Sequence, residues 1–252
     1  MTYKYEPVGL HFEVDNSNAL MKNLLSYHTF KAGYGTRTDG VGTFDLEEVG
    51  GAQYASSADS MFNGRCLDSE SSGSKYLYKN FSGSSTLLPS GSQDFSMCAW
   101  VKPESLAANQ AIASHYVTSH AQIAWFFGYT SAGKAWCHKG NTIGTAGTTL
   151  TGTSDTVGTG AWHFLYAYWD QDVGMGASID NGTIDTAAHT QSMKAANSSL
   201  VIGAYDDGTA GVLDGLLGQW VMWNKILSTQ EVTDMYNGGA GNFLNGVDAP
   251  NP

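Results

Sequence analysis

Short strand-like segments separated by turn signals dominate this chain from residue 75 onward. A turn signal recurs at intervals of about ten residues, and this spacing is typical of a β-sandwich or jelly roll. The sequence Asp180-Asn181-Gly182 predicts a tight hairpin, because Asn-Gly accepts the positive φ angles of a primed turn. We expect strands over residues 9–15, 75–79, 95–102, 110–117, 123–129, 134–138, 162–170, 176–180 and 183–186. Residues 31–60 are predicted to form a long loop that can contain short strands.

A helical signal stands out near the C-terminus. Ser228 precedes Glu231 by three residues, which predicts a capping box in which each side chain satisfies a free amide at the helix start. The residues that follow form one apolar face: Val232, Met235 and Tyr236. The sequence Asn237-Gly238-Gly239 predicts the end of this short helix, since asparagine and glycine readily adopt the left-handed cap conformation.

The composition favours one all-β domain that does not bind nucleic acid. The 252 residues suit a single sandwich core, and the 31 glycines are typical of a turn-rich β protein. A net charge of −11 repels phosphate backbones. We expect an N-terminal arm over residues 1–8, a domain over 9–240 and a tail over 241–252.

Targeting signals and membrane spans are also not expected. The first residues lack the basic start and apolar stretch of a secretory signal. The longest apolar stretch, residues 121–127, is far too short to cross a bilayer. The sequence therefore predicts a soluble chain that either stays in its cell or leaves without a signal of its own.

Several segments, taken in order, resemble the laminin-G-like branch of the concanavalin A-like lectin and glucanase superfamily. These segments are residues 10–15, 63–67, 94–103, 160–168 with 178–182, and the C-terminal strand and helix. The resemblance implies an all-β fold, a concanavalin A-like antiparallel β-sandwich or jelly roll with a short C-terminal helix.

The resemblance also bears on a metal site. The closing strand of the family commonly carries an Asp-Glu pair, where this chain has Gly218-Gln219. Asp15 and Asp214 remain, and we expect them to meet across neighbouring terminal strands if calcium binds. Calcium takes six to eight oxygen ligands, so backbone carbonyls and water would have to complete such a site.

Three functions are consistent with these residues. The first is a non-enzymatic lectin-like structural or adhesion module, a capsid decoration or fibre protein on a bacteriophage virion, with glycans or other virion proteins as partners. A freestanding lectin-like domain without a signal peptide or an acid triad favours this function. A virion surface role also predicts a symmetric homo-oligomer.

The second function is a carbohydrate-binding module of a cellular protein. Sugar rings stack on exposed aromatic side chains near turns or strand ends, and the sequence offers four candidates: Trp125, Trp136, Trp169 and Tyr205.

The third function is a glucanase that uses Glu13 and Asp15, whose two-residue spacing puts both carboxylates on one face of a strand. The third acid expected in such a strand is missing, so we predict that the chain is not an enzyme.

Overall fold

The computed structural model of the protein describes residues 19–30, 36–41, 44–51, 53–55, 61, 66–81, 88–89, 91–117, 122–141, 147–193, 199–205, 208 and 210–241. The expected first strand, with Glu13 and Asp15, lies outside the described residues. The arm over 1–8 and almost all of the tail over 241–252 also lie outside them, so the domain boundaries stay a prediction. Within the described part, no helix has the length and apolar composition that crossing a membrane requires.

The described elements are mostly strands. The strands are β1 (Leu24–His28), β2 (Glu47–Val49), β3 (Gln53–Ala55), β4 (Cys66–Ser69), β5 (Tyr76–Lys79), β6 (Phe95–Pro103), β7 (Gln110–Val117), β8 (Gln122–Tyr129), β9 (Ala135–Gly140), β10 (Gly147–Thr151), β11 (His163–Asp170), β12 (Gly174–Ile179), β13 (Asp185–Ala188), β14 (Leu200–Ile202) and β15 (Gly215–Trp223). Helix α1 covers Thr229–Tyr236, and 3₁₀ turns cover Ser71–Gly73 and Asn237–Gly239.

These strands form two antiparallel sheets. The first sheet has the order β13-β12-β11-β6-β15-β4-β3, and β1 also pairs with β15. Strand β15 is long enough for β4 to pair with its first residues and β1 with its last. The second sheet has the order β10-β9-β8-β7-β14-β5-β2. The expected antiparallel sandwich is therefore confirmed.

A hydrophobic core fills the space between the sheets. The rings of Phe95 and Trp169 stack with their centroids 4.5 Å apart, and the ring centroid of Trp125 lies 5.9 Å from that of Phe95. Leu217, Trp220 and Met222 of β15 belong to the same cluster. Strand alternation puts Trp220 and Met222 on this side, and a register irregularity between Leu217 and Gln219 brings Leu217, three residues before Trp220, to the same side.

A second cluster covers the outer face of the first sheet. Helix α1 lays Val232 and Met235 against Trp100 and Trp223, which point away from the sandwich core. The predicted capping box is confirmed: the Ser228 hydroxyl accepts from the amide of Glu231, and the Glu231 carboxylate accepts from the amide of Ser228. The helix thus hides an apolar surface that the strands alone would leave exposed.

The predicted hairpin forms with its turn shifted by one residue. Asp180 and Asn181 have φ angles of 53° and 56°, and the amide of Gly182 donates to the carbonyl of Ile179 over 2.9 Å. The positive φ angles thus fall on Asp-Asn, whereas the Asn-Gly pair was expected to hold them. Aspartate and asparagine both tolerate the left-handed region, which makes this register accessible.

Candidate functional site

Aromatic side chains cluster on the outer face of the second sheet, where β7, β8 and β9 lie side by side. In β8, Trp125 and Phe127 belong to the core, so the intervening Phe126 points to the opposite face. The strand register places Phe126 opposite His138. We call the aromatic face the set of five residues Tyr116, Phe126, Trp136, His138 and Tyr205.

Phe126 is the centre of this face. Its ring centroid lies 4.2 Å from that of Trp136, 5.5 Å from that of Tyr116 and 5.6 Å from that of Tyr205. Phe126 is only 4% exposed, whereas Tyr116, Trp136 and Tyr205 are half-buried. Three partly accessible rings therefore surround a buried one.

A tight turn after β14 holds Tyr205 in place. The amide of Tyr205 donates to the carbonyl of Ala210 over 2.9 Å, and the amide of Gly208 donates to the carbonyl of Tyr205 over 3.1 Å. The Tyr205 ring lies on Gly211, where a Cβ atom would come within 2.3 Å of the ring carbon Cε1. Glycine at position 211 is therefore required for this position of the ring.

The aromatic face is uncharged at neutral pH. Burial, together with the neighbouring His189, lowers the pKa of His138 to about 4, so this imidazole is neutral. Its Nδ1 atom lies 2.9 Å from the hydroxyl of Thr149. Thr149 and Thr151 of β10 are exposed and lie opposite His138 and Trp136 in the strand register. Hydroxyl groups thus flank the rings along one edge.

The four aromatic candidates from the sequence separate into two pairs. Trp136 and Tyr205 meet, with ring centroids 5.7 Å apart in a T-shaped contact. Trp125 and Trp169 are fully buried in the core, and the indole of Trp169 donates to the carbonyl of His138 over 2.9 Å. The prediction that Trp125 and Trp169 lie at the surface is wrong, because strand alternation points both side chains into the core between the sheets.

Sequence reasoning missed Tyr116 and Phe126. The signal was the period of two in β8: once Trp125 is placed in the core, Phe126 must point outward. Tyr116 could not be assigned in this way, because a bulge between His115 and Tyr116 interrupts the register of β7 with β8.

Carboxylates gather at the end of the sandwich where β6 leaves the first sheet. One oxygen from each of Asp68, Glu70 and Glu104 lies within 4.8 Å of the others. Burial raises the pKa of Glu104, and the charges of Asp68 and Glu70 raise it further. These groups have the chemistry of calcium ligands.

Asp214, the described member of the predicted calcium pair, borders this group. Its carbonyl accepts from the amide of Glu104 over 2.9 Å. Asp15, its expected partner, lies outside the described residues, and so does the predicted catalytic pair of Glu13 and Asp15. The calcium site and the catalytic pair therefore remain predictions.

Solved structures share this fold at low sequence identity. Domain 4 of the GH43 extracellular arabinanase AbnA from Geobacillus stearothermophilus, in complex with arabinotriose, superposes with a TM-score of 0.60 at 18% identity. The match covers 84% of this chain and 97% of that domain. The binding domain of Paraclostridial Mosquitocidal Protein 1 superposes with a TM-score of 0.64 at 14% identity, over 87% of this chain and 53% of that one.

A third structure is the binding domain of Botulinum neurotoxin DC in complex with SialylT. It superposes with a TM-score of 0.63 at 12% identity, over 87% of this chain and 52% of that one. The chain thus spans about half the length of both toxin binding domains.

Sequence comparison gives a family but no individual relative. No curated protein matches the chain significantly. A laminin-G model, described as concanavalin A-like lectin/glucanases superfamily, matches residues 74–233. This range is more than half of the chain and contains the strands that carry the aromatic face, so the chain belongs to the concanavalin A-like lectin/glucanases superfamily.

Proposed function

We propose that this chain is a non-enzymatic binding module whose aromatic face stacks on the sugar rings of a neutral oligosaccharide. The observation that carries the proposal is the cluster itself, in which Tyr116, Trp136 and Tyr205 present partly accessible rings around Phe126. Rings held by their neighbours lose little conformational freedom when a ligand binds. A preorganised aromatic surface of this kind suits the apolar C–H face of a sugar.

The charge of the molecule favours a neutral ligand. The net charge of −11 repels anionic glycans, and the neutral His138 adds no compensating positive charge to the face. The hydroxyls of Thr149 and Thr151 can exchange hydrogen bonds with sugar hydroxyls beside the rings. An aromatic floor and a hydroxyl-bearing edge together match the two chemical surfaces of a sugar.

The comparisons support a binding role. The arabinanase domain was solved with the neutral sugar arabinotriose, and this chain covers nearly all of that domain. The neurotoxin binding domain was solved with SialylT, and a related structure holds rat synaptotagmin II, so that architecture takes both a glycan and a protein. Of these ligand classes, the uncharged aromatic face favours the neutral glycan.

A glycan array tests the proposal. We expect the wild-type protein to bind neutral oligosaccharides, arabinotriose among the probes, and we expect Trp136→Ala to lose this signal. Val173→Ala is a matched control, because Val173 is an exposed apolar residue outside the aromatic face. A folded wild-type protein that binds no glycan, or a Trp136→Ala variant that binds as wild type, would contradict the proposal.

The same preparation tests the non-enzymatic assignment. We expect no release of reducing sugar from polysaccharides by the wild-type protein. If cleavage occurs and Glu13→Gln abolishes it, the chain is a glucanase and the assignment is wrong.

The location on a bacteriophage virion and the homo-oligomer stay predictions from the sequence. A capsid decoration or fibre protein must be recovered with purified particles, and its absence from them would end this prediction. The mass of the protein in solution tests the oligomer.

A further inference from the structure

A small cleft lies between helix α1 and the outer face of the first sheet, whereas the aromatic face lies on the second sheet. It has a volume of about 150 Å³. Its walls come from β11, β12, the β12–β13 hairpin and the first turns of α1. The lining residues are Tyr166, Tyr168, Ser178, Asn181, Gly182, Ile184, Ile226, Leu227, Thr229, Val232 and Thr233. We call this space the helix cleft.

Two tyrosines of β11 give the helix cleft a fixed aromatic wall. Tyr168 lies over Gly176 of the neighbouring strand, where a Cβ atom would come within 2.4 Å of the ring carbon Cε1. The hydroxyl of Tyr166 donates to the carbonyl of Leu227 over 3.3 Å. The ring centroids of Tyr166 and Tyr168 are 6.1 Å apart. The wall therefore keeps its shape without a ligand.

A serine of β12 places a buried hydroxyl in the helix cleft. Ser178 lies opposite Tyr166 in the strand register and is only 3% exposed. Its Oγ atom makes no hydrogen bond within the part of the chain that the structure describes. An unpaired buried hydroxyl costs free energy, which a ligand hydroxyl could recover.

Further polar groups surround the opening. The amide nitrogen of Asn181 donates to the hydroxyl of Thr233 over 3.2 Å, and this hydroxyl donates to the carbonyl of Thr229 over 2.9 Å. Ile184 is 40% exposed and adds an apolar surface at the rim. The helix cleft therefore combines hydroxyl and amide groups with apolar walls.

Size and charge restrict what can enter. Drug-sized ligands occupy pockets of about 300–1,000 Å³, so the helix cleft has room for a single ring. None of its lining residues is charged, although the chain carries a net charge of −11. An ionic ligand would find no partner of opposite charge there.

We propose that the helix cleft is a second binding site, which takes one neutral sugar residue with a hydroxyl bonded to Ser178 Oγ. The ring of this residue packs on Tyr168 and its polar edge faces Asn181 and Thr233. The proposal does not depend on binding by the aromatic face. It gives the molecule two sites on opposite sheets, so that it can hold two branches or two chains at once.

Nuclear magnetic resonance tests this proposal on the ¹⁵N-labelled chain. The probes are the methyl glycosides of glucose, galactose and arabinofuranose, titrated to high millimolar concentration. We expect saturable amide shifts at Ser178, Gly182 and Thr233. Ser178→Ala should weaken this binding about fivefold, the effect of one lost hydrogen bond, and Thr233→Tyr should block it.

Two controls separate binding from folding. Ser192→Ala removes a serine hydroxyl elsewhere on the surface and should leave the titration unchanged. Ser178→Ala without ligand should melt no lower than wild type, because it removes a hydroxyl that pairs with none of the described residues. Shifts that persist unchanged in Ser178→Ala and Thr233→Tyr would overturn the proposal.

The pattern of shifts distinguishes the two sites. Shifts at the helix cleft alone would support this site, and the same titration with the oligosaccharide selected on the array would then decide the proposed function of the aromatic face. Shifts confined to Trp136 and Tyr205 would support the aromatic face and overturn the helix cleft. Indole that binds in the helix cleft where no glycoside does would overturn the sugar assignment.

Discussion

At the scale of single residues, the position of Tyr205 depends on the missing side chain of Gly211. The Tyr205 ring occupies the space that a Cβ atom at position 211 would need. This residue pair connects backbone conformation to the aromatic face, because a displaced Tyr205 can no longer line up with Trp136.

Gly211→Ala should weaken glycan binding at least fivefold. The new methyl group meets the ring and displaces it, and the positive φ of 54° adds about 1 kcal/mol of strain. Gly160→Ala is the matched control, since Gly160 has a φ of 78° and a Cβ atom added there would meet nothing within 4 Å. Both variants should lose stability in urea melts, Gly211→Ala more because its methyl also meets the ring, but only Gly211→Ala should lose affinity. Equal affinities would show that Tyr205 is not part of the site.

Buried histidines make stability depend on pH. His28 lies between Phe30 and Trp220, with ring centroids 5.8 and 5.9 Å away. Burial lowers its pKa to about 4, against the attraction of Asp39 and Asp45. Between this pKa and the ordinary value of 6.5, the unfolded chain binds more protons than the folded one. The stabilisation is present above pH 6.5 and is lost as the pH falls towards 4.

His28→Gln should therefore flatten the pH dependence of the free energy of unfolding. The lowered pKa of His28 corresponds to about 3 kcal/mol in the free energy of unfolding. His138 has a pKa lowered to the same value, so the variant should retain a similar pH dependence from His138. Urea melts at neutral pH and near pH 4.5 measure this. An unchanged slope in His28→Gln would mean that His28 is not buried as a neutral group.

At the scale of elements, helix α1 depends on its first turn. Lys225 donates to the carbonyl of Ala19 over 2.9 Å and forms an ion pair with Glu231. Because Glu231 belongs to the capping box, Lys225 connects the start of the helix to the turn that contains Ala19. The helix in turn covers the second cluster and forms one wall of the helix cleft.

Ser228→Ala should cost about 1 kcal/mol, the usual effect of losing an N-cap. Thermal or urea unfolding measures this change. Gln230→Ala, on the exposed side of the same helix, should have a much smaller effect. If both substitutions cost the same, the capping box does not stabilise the helix.

Sequence pattern predicted some elements well and others poorly. Strands β6 and β11 were expected close to their observed bounds, because buried apolar residues fill most of their length. Strand β10 was not expected, since it is an edge strand of Gly and Thr in which only Leu150 is buried. Strands β2 and β3 have three residues each, too few for a period of two to stand out from the predicted loop.

At the scale of the whole molecule, the sequence predicted the sandwich fold, but it predicted only part of the candidate site. Ordered motifs and turn spacing define the two sheets, but the aromatic face combines residues from distant strands. Tyr205 reaches Trp136 because β14, which precedes Tyr205, pairs with β7, β7 pairs with β8, and β8 pairs with β9, the strand of Trp136. Sequence alone does not reveal that pairing, nor which face each tryptophan takes.

The architecture also explains why the two proposed sites are separate. The aromatic face lies on the outside of the second sheet, and the helix cleft lies on the outside of the first. The core between the sheets is filled by Trp125, Trp169 and Trp220, among others. A variant at one site should therefore leave the other site unchanged, since well-separated substitutions have additive effects.

The most direct test of the central claim is the dissociation constant of a neutral oligosaccharide selected on the array. Calorimetric titration should be done on wild type and Trp136→Ala, with melting temperatures to show that both are folded. We predict at least tenfold weaker binding by Trp136→Ala, as expected when a stacking aromatic residue is truncated. Equal dissociation constants for the two folded proteins would contradict the assignment of the aromatic face as the glycan-binding site.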